Sequence, residues 1–313
     1  MIVSASRRTD IPHYFGNWFI RRVRAGYCVV KNPFFPKKQY RISLRPEDVD
    51  CFVFWTRFPK TIMPYLDELE ALQYRYYFLD TVVDYPGALE PSAPSVERRI
   101  GLFQGLAHKI GAERIVWRYD PIYLSQATDF PYHLDRFRVL SERLKGYTKR
   151  VILSFYDPYR KTEGRLQALP AEFRPAEIPG TSTDAPSQEA GEPALPQSAP
   201  GSPALLRFVS RLAETAKAAG MEIQSCAEKI DLTPAGVHPG ACIDAGLIRS
   251  LFSIQVPEKK DPNQRKLCRC VQSRDIGAYN TCIQGCVYCY ATGSLEQPQD
   301  RYRRHDPDRE SLV

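Results

Sequence analysis

Residues 51–79 read CFVFWTRFPKTIMPYLDELEALQYRYYFL and contain one complete strand–helix–strand unit. The apolar run at 51–55 predicts a buried strand, the segment 60–72 predicts a helix, and the aromatic run at 74–79 predicts a second strand. This order of elements favours two parallel strands joined by a crossover helix. The unit therefore indicates an α/β fold.

The same alternation continues on both sides of this unit. Strands are predicted at 2–5, 114–117, 150–155 and 221–224, and helices at 17–25, 96–110, 129–145 and 204–219. A further short strand is expected before Tyr279. We therefore predict a single domain over residues 1–313, built as a partial or circularly permuted (β/α) barrel, with a doubly wound open sheet as the alternative.

One segment interrupts the alternation. Residues 164–203 are rich in Pro, Ala, Ser, Gly and Glu and lack apolar periodicity. Such a segment cannot bury enough apolar surface to offset the entropy of ordering it. We predict a disordered insertion within one crossover connection, and not a domain boundary.

The composition is typical of a globular protein, with 43% hydrophobic and 25% charged residues. No apolar run approaches the roughly 20 residues that span a bilayer, and the first residues lack the pattern of a signal peptide. We therefore expect a cytoplasmic protein that does not associate with a membrane. The formal net charge of +7 permits a nucleic-acid partner without requiring one.

Polar residues follow nearly every predicted strand. These segments are 6–10, 56–57, 80–81, 118–120, 154–157 and 224–228. In barrels the carboxyl ends of the strands form the active face. The pattern therefore predicts the functional site at this end of the sheet.

The nine cysteines favour metal ligation over disulfides, because thiols stay reduced in the cytoplasm. Three of them, Cys282, Cys286 and Cys289, have the spacing C-x3-C-x2-C, with Tyr288 just before the third. Three thiolates can ligate three irons of a [4Fe–4S] cluster and leave the fourth iron open to a substrate or cofactor. The alternatives are a zinc site, although only the last pair has the usual zinc spacing, and free core thiols.

Four more cysteines follow the insertion, and with the three above they define a cysteine-rich region at 226–291. They are Cys226, Cys242, Cys268 and Cys270. If their thiolates converge, they would hold a second [4Fe–4S] cluster or a zinc ion; the alternative is a set of unrelated thiols. Cys28 and Cys51 stand alone beside predicted strands, and we interpret them as small core residues.

The terminal motif resembles that of the radical S-adenosylmethionine (SAM) enzymes, and the loop is also similar to that of the spore photoproduct lyases. Over most of its length the chain resembles an uncharacterised bacterial family, a domain of unknown function, in which such a cysteine cluster closes the domain. The stretches that carry this resemblance are SASRRTDIP at 4–12, FWT at 54–56, WRYDP at 117–121, SCAE at 225–228 and the segment 268–289.

The resemblance implies a radical SAM-type barrel whose cluster loop has moved to the C-terminus, with a [4Fe–4S] cluster and SAM as cofactors. In that superfamily the open iron chelates SAM, and an electron from a reductase, ferredoxin or flavodoxin leads to a 5′-deoxyadenosyl radical. If the strand before Cys282 pairs with the strand at 2–5, the loop at 6–10 lies nearest the SAM site. Arg7 or Arg8 would then pair with the SAM carboxylate, Asp10 would accept from the ribose or the methionine amine, and the backbone of Tyr288 would contact the adenine.

Three functions follow as alternatives. The first is a radical SAM enzyme that acts on an unknown substrate. The second is an enzyme of nucleic-acid repair or modification with the same chemistry. The third is a non-catalytic iron–sulfur or zinc protein that transfers electrons or senses its surroundings.

Overall fold

A computed structural model describes residues 1–35, 37–176 and 199–313. Its strands are β1 (Ile2–Ala5), β2 (Tyr27–Lys31), β3 (Gln39–Ser43), β4 (Cys51–Thr56), β5 (Tyr76–Thr81), β6 (Ile115–Ile122), β7 (Arg150–Phe155), β8 (Ala199–Pro200), β9 (Glu222–Ser225), β10 (Ile230–Asp231), β11 (His238–Pro239) and β12 (Arg274–Asp275). Its α-helices are α1 (Ile11–Tyr14), α2 (Gly16–Ala25), α3 (Leu66–Ala71), α4 (Val96–Ile110), α5 (Phe130–Leu144), α6 (Arg160–Gln167), α7 (Pro203–Ala218), α8 (Ala245–Phe252) and α9 (Glu296–Arg303).

Eight of these strands form one parallel sheet in the order β11-β9-β7-β6-β5-β4-β1-β12. From β1 to β11 each successive sheet strand is added on the same side, and β12 returns to the free side of β1. In the parallel pairing of β1 with β12, Val3 lies opposite Arg274 and Ser4 lies opposite Asp275. The predicted α/β class is confirmed. A pairing of β11 with β12, which would close a barrel, is not among the strand pairs of the described residues.

The two faces of the sheet have different coverings, because successive strand residues point to opposite sides. On one face Phe54, Phe78 and Trp117 form a core with apolar residues of α2, α3, α4, α5 and α7. On the other face Val53 and Leu79 pack with α8 and with the cysteine-rich chain up to residue 271. Burial stabilises each such side chain by about 1.5–3 kcal/mol. The part of the cysteine-rich region up to residue 271 therefore lies against the face of the sheet that these five helices leave free, whereas Cys286 and Tyr288 pack with the other core.

Ordered structure extends into the segment predicted to be a disordered insertion at 164–203. Helix α6 continues to Gln167 because Thr162 and Leu166 are buried and anchor it. A further turn spans Ala171–Phe173, and α7 begins at Pro203. The rest of the predicted insertion, residues 177–198, lies outside the described residues.

None of the helices in the described ranges is long and apolar enough to cross a membrane. The cytoplasmic location stays a prediction.

Candidate functional site

A cavity of about 390 Å³ opens at the carboxyl ends of β1, β4, β6 and β7. Seven cysteines line it: the terminal cysteines Cys282, Cys286 and Cys289, and the inner cysteines Cys226, Cys242, Cys268 and Cys270. The polar segments after these strands contribute much of the remaining wall, as their positions predicted. Cys28 and Cys51 lie in the buried core, which confirms their interpretation as core residues. The two cysteine sets therefore face one shared space.

Contacts from distant elements fix the loop that carries the terminal cysteines. The Tyr14 hydroxyl donates to Oε1 of Gln284 at 2.7 Å, and Nη2 of Arg165 donates to the carbonyl of Cys289 at 2.9 Å. Gly285 has a φ of +75°, a backbone conformation that glycine takes without steric cost. The loop is thus held in place by α1, α6 and its own sharp turn.

A buried charge network lies beneath the same loop. The Tyr288 hydroxyl donates to Glu90, which is 3% exposed. Glu90 also accepts from Arg57, and from Nη1 of Arg99 at 3.3 Å. A buried carboxylate needs such partners to offset the loss of water. Although burial alone would lower it, attraction to Glu90 holds the pKa of Arg57 above its ordinary value.

Burial makes the thiols of Cys282 and Cys286 poor acids. Burial raises the pKa of Cys282 to about 12. Burial also raises the pKa of Cys286 well above its ordinary value, against the attraction of Arg57. A coordinating metal deprotonates such thiols outright. Three soft sulfur donors on one loop therefore fit an iron–sulfur cluster that lacks a fourth protein ligand from this loop.

The inner cysteines adjoin one another. The Sγ atoms of Cys226 and Cys242 are 3.5 Å apart, and the thiols of Cys242 and Cys268 lie near that of Cys270. The backbone N–H of Ile243 donates to Sγ of Cys270 at 3.3 Å. Four sulfur donors are by their chemistry the ligand set of a [4Fe–4S] cluster or of zinc.

Within the described ranges, no three His, Cys, Asp or Glu side chains already have the arrangement of a metal-ion site. Cys226 and Cys242 adjoin as a pair, whereas tetrahedral zinc needs four donors around one point. A [4Fe–4S] cluster instead takes each thiolate on a different iron. The inner donors are therefore adjacent, but they are not preorganised around a single ion.

Two arginines lie beside the inner cysteines, and both contact the same indole ring. The guanidinium carbon of Arg7 is 5.0 Å from the centre of the Trp55 ring, and that of Arg118 is 4.8 Å from it. Hydrogen bonds from neighbouring thiols, reinforced by attraction to these arginines, lower the pKa of Cys270 and of Cys226. The two cations would offset part of the negative charge of four thiolates.

The two arginines predicted to bind the SAM carboxylate line the cavity but have other partners. Nη1 of Arg7 is 3.5 Å from Oγ of Ser273, and its guanidinium is attracted to the thiol of Cys270, on the side of the inner cysteines. Nε of Arg8 is 3.7 Å from Oδ1 of Asp275. Their contact with SAM stays a prediction.

Asp10 and Tyr288 also line the cavity, and both are held by the protein. Asp10 caps α1 by accepting from the N–H of His13 at 2.9 Å, and it accepts from the N–H of Arg57 at 2.7 Å. Burial raises the pKa of Asp10 to about 7. Their predicted contacts with SAM stay predictions.

Two residues of the site have roles that sequence reasoning did not assign. Arg57 follows β4, so the polar segments after the strands pointed to its position without revealing its partner. Glu90 lies in the long connection after β5 and belongs to none of the sequence motifs. Its three partners are 9 to 198 positions away in the chain, so no local pattern could have found it.

One family, described as a domain of unknown function (DUF1848), matches residues 2–291. The matched range contains the whole parallel sheet and both cysteine sets. No curated protein matches the chain. The chain therefore belongs to the DUF1848 family.

Proposed function

We propose that this protein is a radical SAM-type enzyme in which Cys282, Cys286 and Cys289 hold a [4Fe–4S] cluster with one open iron. The observation that carries the proposal is that these three thiols, on one loop, line a cavity at the carboxyl edge of a parallel sheet. When bound, the cluster supplies the electron for reductive cleavage of SAM. The substrate is a molecule that enters the same cavity.

We further infer that the sheet is a circularly permuted barrel of the radical SAM type. The support is the one-way strand order from β1 to β11 together with the pairing of β12 beside β1. A doubly wound sheet would reverse its strand order and carry its crossover helices on both faces, whereas α2, α3, α4, α5 and α7 share one face here and the other face is covered by α8 and the cysteine-rich chain up to residue 271. This permutation brings the terminal cysteines beside the loop after β1.

The residues of the chain itself hold and shield the cofactors in this proposal. Arg57, fixed by Glu90, contributes a positive charge beside Cys286. The aromatic side chains of Trp55 and Tyr288 line the cavity and exclude water from reactive cleavage products.

The inner cysteines support a second metal centre, either a [4Fe–4S] cluster or zinc. Iron and zinc are counted per chain after anaerobic reconstitution. About eight irons per chain support two clusters, and about four irons with zinc refute the second cluster.

The decisive test is an electron paramagnetic resonance spectrum of the reduced protein with and without SAM. We expect SAM to change the spectrum by binding the open iron, and we expect 5′-deoxyadenosine to form. If SAM changes neither the spectrum nor the products, the protein is a non-catalytic iron–sulfur protein.

A second candidate, nucleic-acid repair or modification with the same chemistry, is favoured by one surface feature. Between β2 and β3, Phe34 is 83% exposed and Phe35 is 69% exposed, beside the exposed Lys31 and Lys38. Exposed aromatic rings among cations are typical of single-strand binding. Salt-dependent binding of single-stranded DNA or RNA that is lost on Phe34→Ala would support this candidate, and no binding at low salt would exclude it.

A further inference from the structure

We propose that the surface over the inner cysteines is the docking site of a small acidic one-electron carrier protein. The inner cysteines then hold the cluster that first receives the electron. This inference rests on the proposed function, because it requires an iron–sulfur cluster at the inner cysteines.

The docking surface consists of four cations, named here the basic cap: Lys259, Lys260, Lys266 and Arg269. All four side chains are exposed. Their acidic neighbours are engaged elsewhere, since Glu258 pairs with Arg249, and Asp261 is buried and accepts from its own turn. In the part of the chain that the structure describes, no carboxylate forms an ion pair with the basic cap.

The basic cap is bonded directly to the segment that carries two inner cysteines. The N–H of Asp261 donates to the carbonyl of Cys270 at 2.9 Å, and the N–H of Gln272 donates to the carbonyl of Lys259 at 2.9 Å. Cys268 is 6% exposed and Cys270 is 1% exposed. The basic cap and these two thiols therefore belong to one hydrogen-bonded segment of the chain, with the thiols buried just beneath the exposed cations. An electron from a bound carrier thus has a short path to the inner cysteines.

A series of contacts leads from the inner to the terminal cysteines. The Arg7 guanidinium lies near the thiol of Cys270, and the two groups attract each other. The carbonyl of Arg7 accepts from the Tyr290 hydroxyl at 2.8 Å, and Tyr290 directly follows Cys289. Since both cysteine sets also line one cavity, an electron that enters at the inner set has a connected route to the terminal set.

The charge of the surface determines the chemistry of the partner. An acidic protein complements four cations that form no ion pair with a carboxylate of the described chain. The attraction between the opposite charges accelerates association at low salt. A single-stranded nucleic acid would need aromatic rings for stacking, and residues 258–270 contain none. The exposed rings of Phe34 and Phe35 lie on the hairpin of β2 and β3 instead.

The transfer itself is a one-electron exchange. The reduced carrier loses one electron and is oxidised, and the cluster at the inner cysteines gains that electron and is reduced. No covalent bond forms or breaks, and no proton moves.

The test compares two quadruple variants with equal change of charge. The cap variant is Lys259→Glu, Lys260→Glu, Lys266→Glu and Arg269→Glu. The control variant is Lys149→Glu, Arg207→Glu, Arg211→Glu and Lys217→Glu, four cations that are also exposed. Each substitution changes the charge by −2, so both variants have a formal net charge of −1 instead of +7.

Two measurements are made on the reconstituted proteins with a reduced acidic ferredoxin as the probe. Calorimetry gives its affinity at low and high salt, and stopped-flow absorbance gives the rate of cluster reduction. We expect the affinity for ferredoxin and the rate of cluster reduction to fall at least about tenfold in the cap variant, and clearly less in the control variant. Dithionite needs no docking surface and should reduce the clusters of both variants equally, which also shows that both have folded.

Several outcomes would overturn the docking site. These are equal losses in the two variants, an unaffected cap variant, and a cap variant that loses binding of single-stranded DNA while it keeps that of ferredoxin. A wild-type protein that dithionite reduces without SAM cleavage would instead refute the proposed function. In that case the calorimetry still decides whether the basic cap binds the carrier.

Discussion

The hydroxyl of Ser6 donates to Oδ1 of Asp275 at 2.7 Å, although the two residues are 269 positions apart in the chain. Asp275 also accepts from the N–H of Arg7 at 2.8 Å and from the N–H of Gly277 at 3.0 Å. One carboxylate in β12 thus shapes the loop after β1. Because that loop lines the cavity, the wall of the site depends on the pairing of β1 with β12, the first and last of these strands along the chain.

Replacing Asp275 with Ala should destabilise the protein, because the donors of Ser6, Arg7 and Gly277 lose their acceptor. We expect a loss of about 1–3 kcal/mol in the free energy of unfolding, measured by urea denaturation. Asp275→Asn keeps one acceptor oxygen and should lose less. An Ala variant as stable as wild type would show that the carboxylate does not hold the loop.

A methyl group at Gly277 should disturb the same contact sterically. An added Cβ would lie 2.0 Å from Oγ of Ser6 and 3.1 Å from Cγ2 of Thr9, so the Ser6 hydroxyl must leave Asp275. We expect Gly277→Ala to cost about 1–3 kcal/mol of unfolding free energy.

Gly101→Ala in α4 is the matched control for this substitution. A Cβ at Gly101 meets nothing within 4 Å, and Ala in a helix is about 0.8–1 kcal/mol more favourable than Gly. Thermal or urea denaturation should therefore rank Gly101→Ala above wild type and Gly277→Ala below it. The reverse ranking would contradict the close approach of the two loops.

Elements with local signals were predictable from the sequence. The predicted helix at 96–110 coincides with α4, which ends at Ile110 with Gly111 as its C-cap, and the predicted strand at 150–155 coincides with β7. The helix predicted at 60–72 begins only at Leu66, after a tighter turn over Met63–Tyr65, because Pro64 has no N–H to donate an α-helical hydrogen bond to the residue four positions earlier.

Elements defined by tertiary contacts were harder to predict. Strand β12 has only two residues, Arg274 and Asp275, which is too short for any periodicity to mark it. Its pairing with β1 was nevertheless expected as a requirement of the permuted barrel, and the pairing is present. The spacing of the cysteines predicted two sets, but their opening into one cavity depends on the covering of the sheet face by chain segments far apart in sequence.

The buried network around Glu90 should be essential for stability. Glu90→Gln removes the charge that pairs with Arg57 and Arg99 and leaves two buried guanidiniums without a counter-charge. We expect a loss of about 3–5 kcal/mol in the free energy of unfolding. Glu97→Gln is the control, since Glu97 pairs with Arg143 through a side chain that is 64% exposed, and exposed pairs contribute only about 0–1 kcal/mol. Similar losses in the two variants would argue against a special role for the buried pair.

His133 should make stability depend on pH. Its Nδ1 is 2.8 Å from the Tyr119 hydroxyl and its Nε2 is 3.1 Å from the carbonyl of Tyr123. Burial lowers the pKa of His133 from 6.5 to about 4. Below pH 6.5 the unfolded chain therefore takes up a proton that the folded chain does not bind.

The stabilisation by His133 should be complete above pH 6.5 and fall by up to about 3 kcal/mol as the pH decreases towards 4. The measurement is urea unfolding of wild type and His133→Gln at a series of pH values. Taking the difference between the two proteins cancels the other titrating groups, and this difference should shrink below pH 6.5. A difference that does not change with pH would mean that His133 titrates normally in the folded protein.

Two single cysteine substitutions distinguish a proposed metal ligand from a core residue. Cys286→Ala should remove one of three donors to the proposed cluster and lower the iron content by about four per chain after anaerobic reconstitution. Cys28→Ala is the matched control, because Cys28 is also buried and burial raises its pKa to about 12, yet it lies in the hydrophobic core. It should lose about 1 kcal/mol of stability and keep its iron and its cleavage of SAM. Because both substitutions remove one buried thiol, equal iron contents in the two variants would mean that Cys286 is not a ligand. SAM cleavage that survives Cys286→Ala would refute the proposed mechanism.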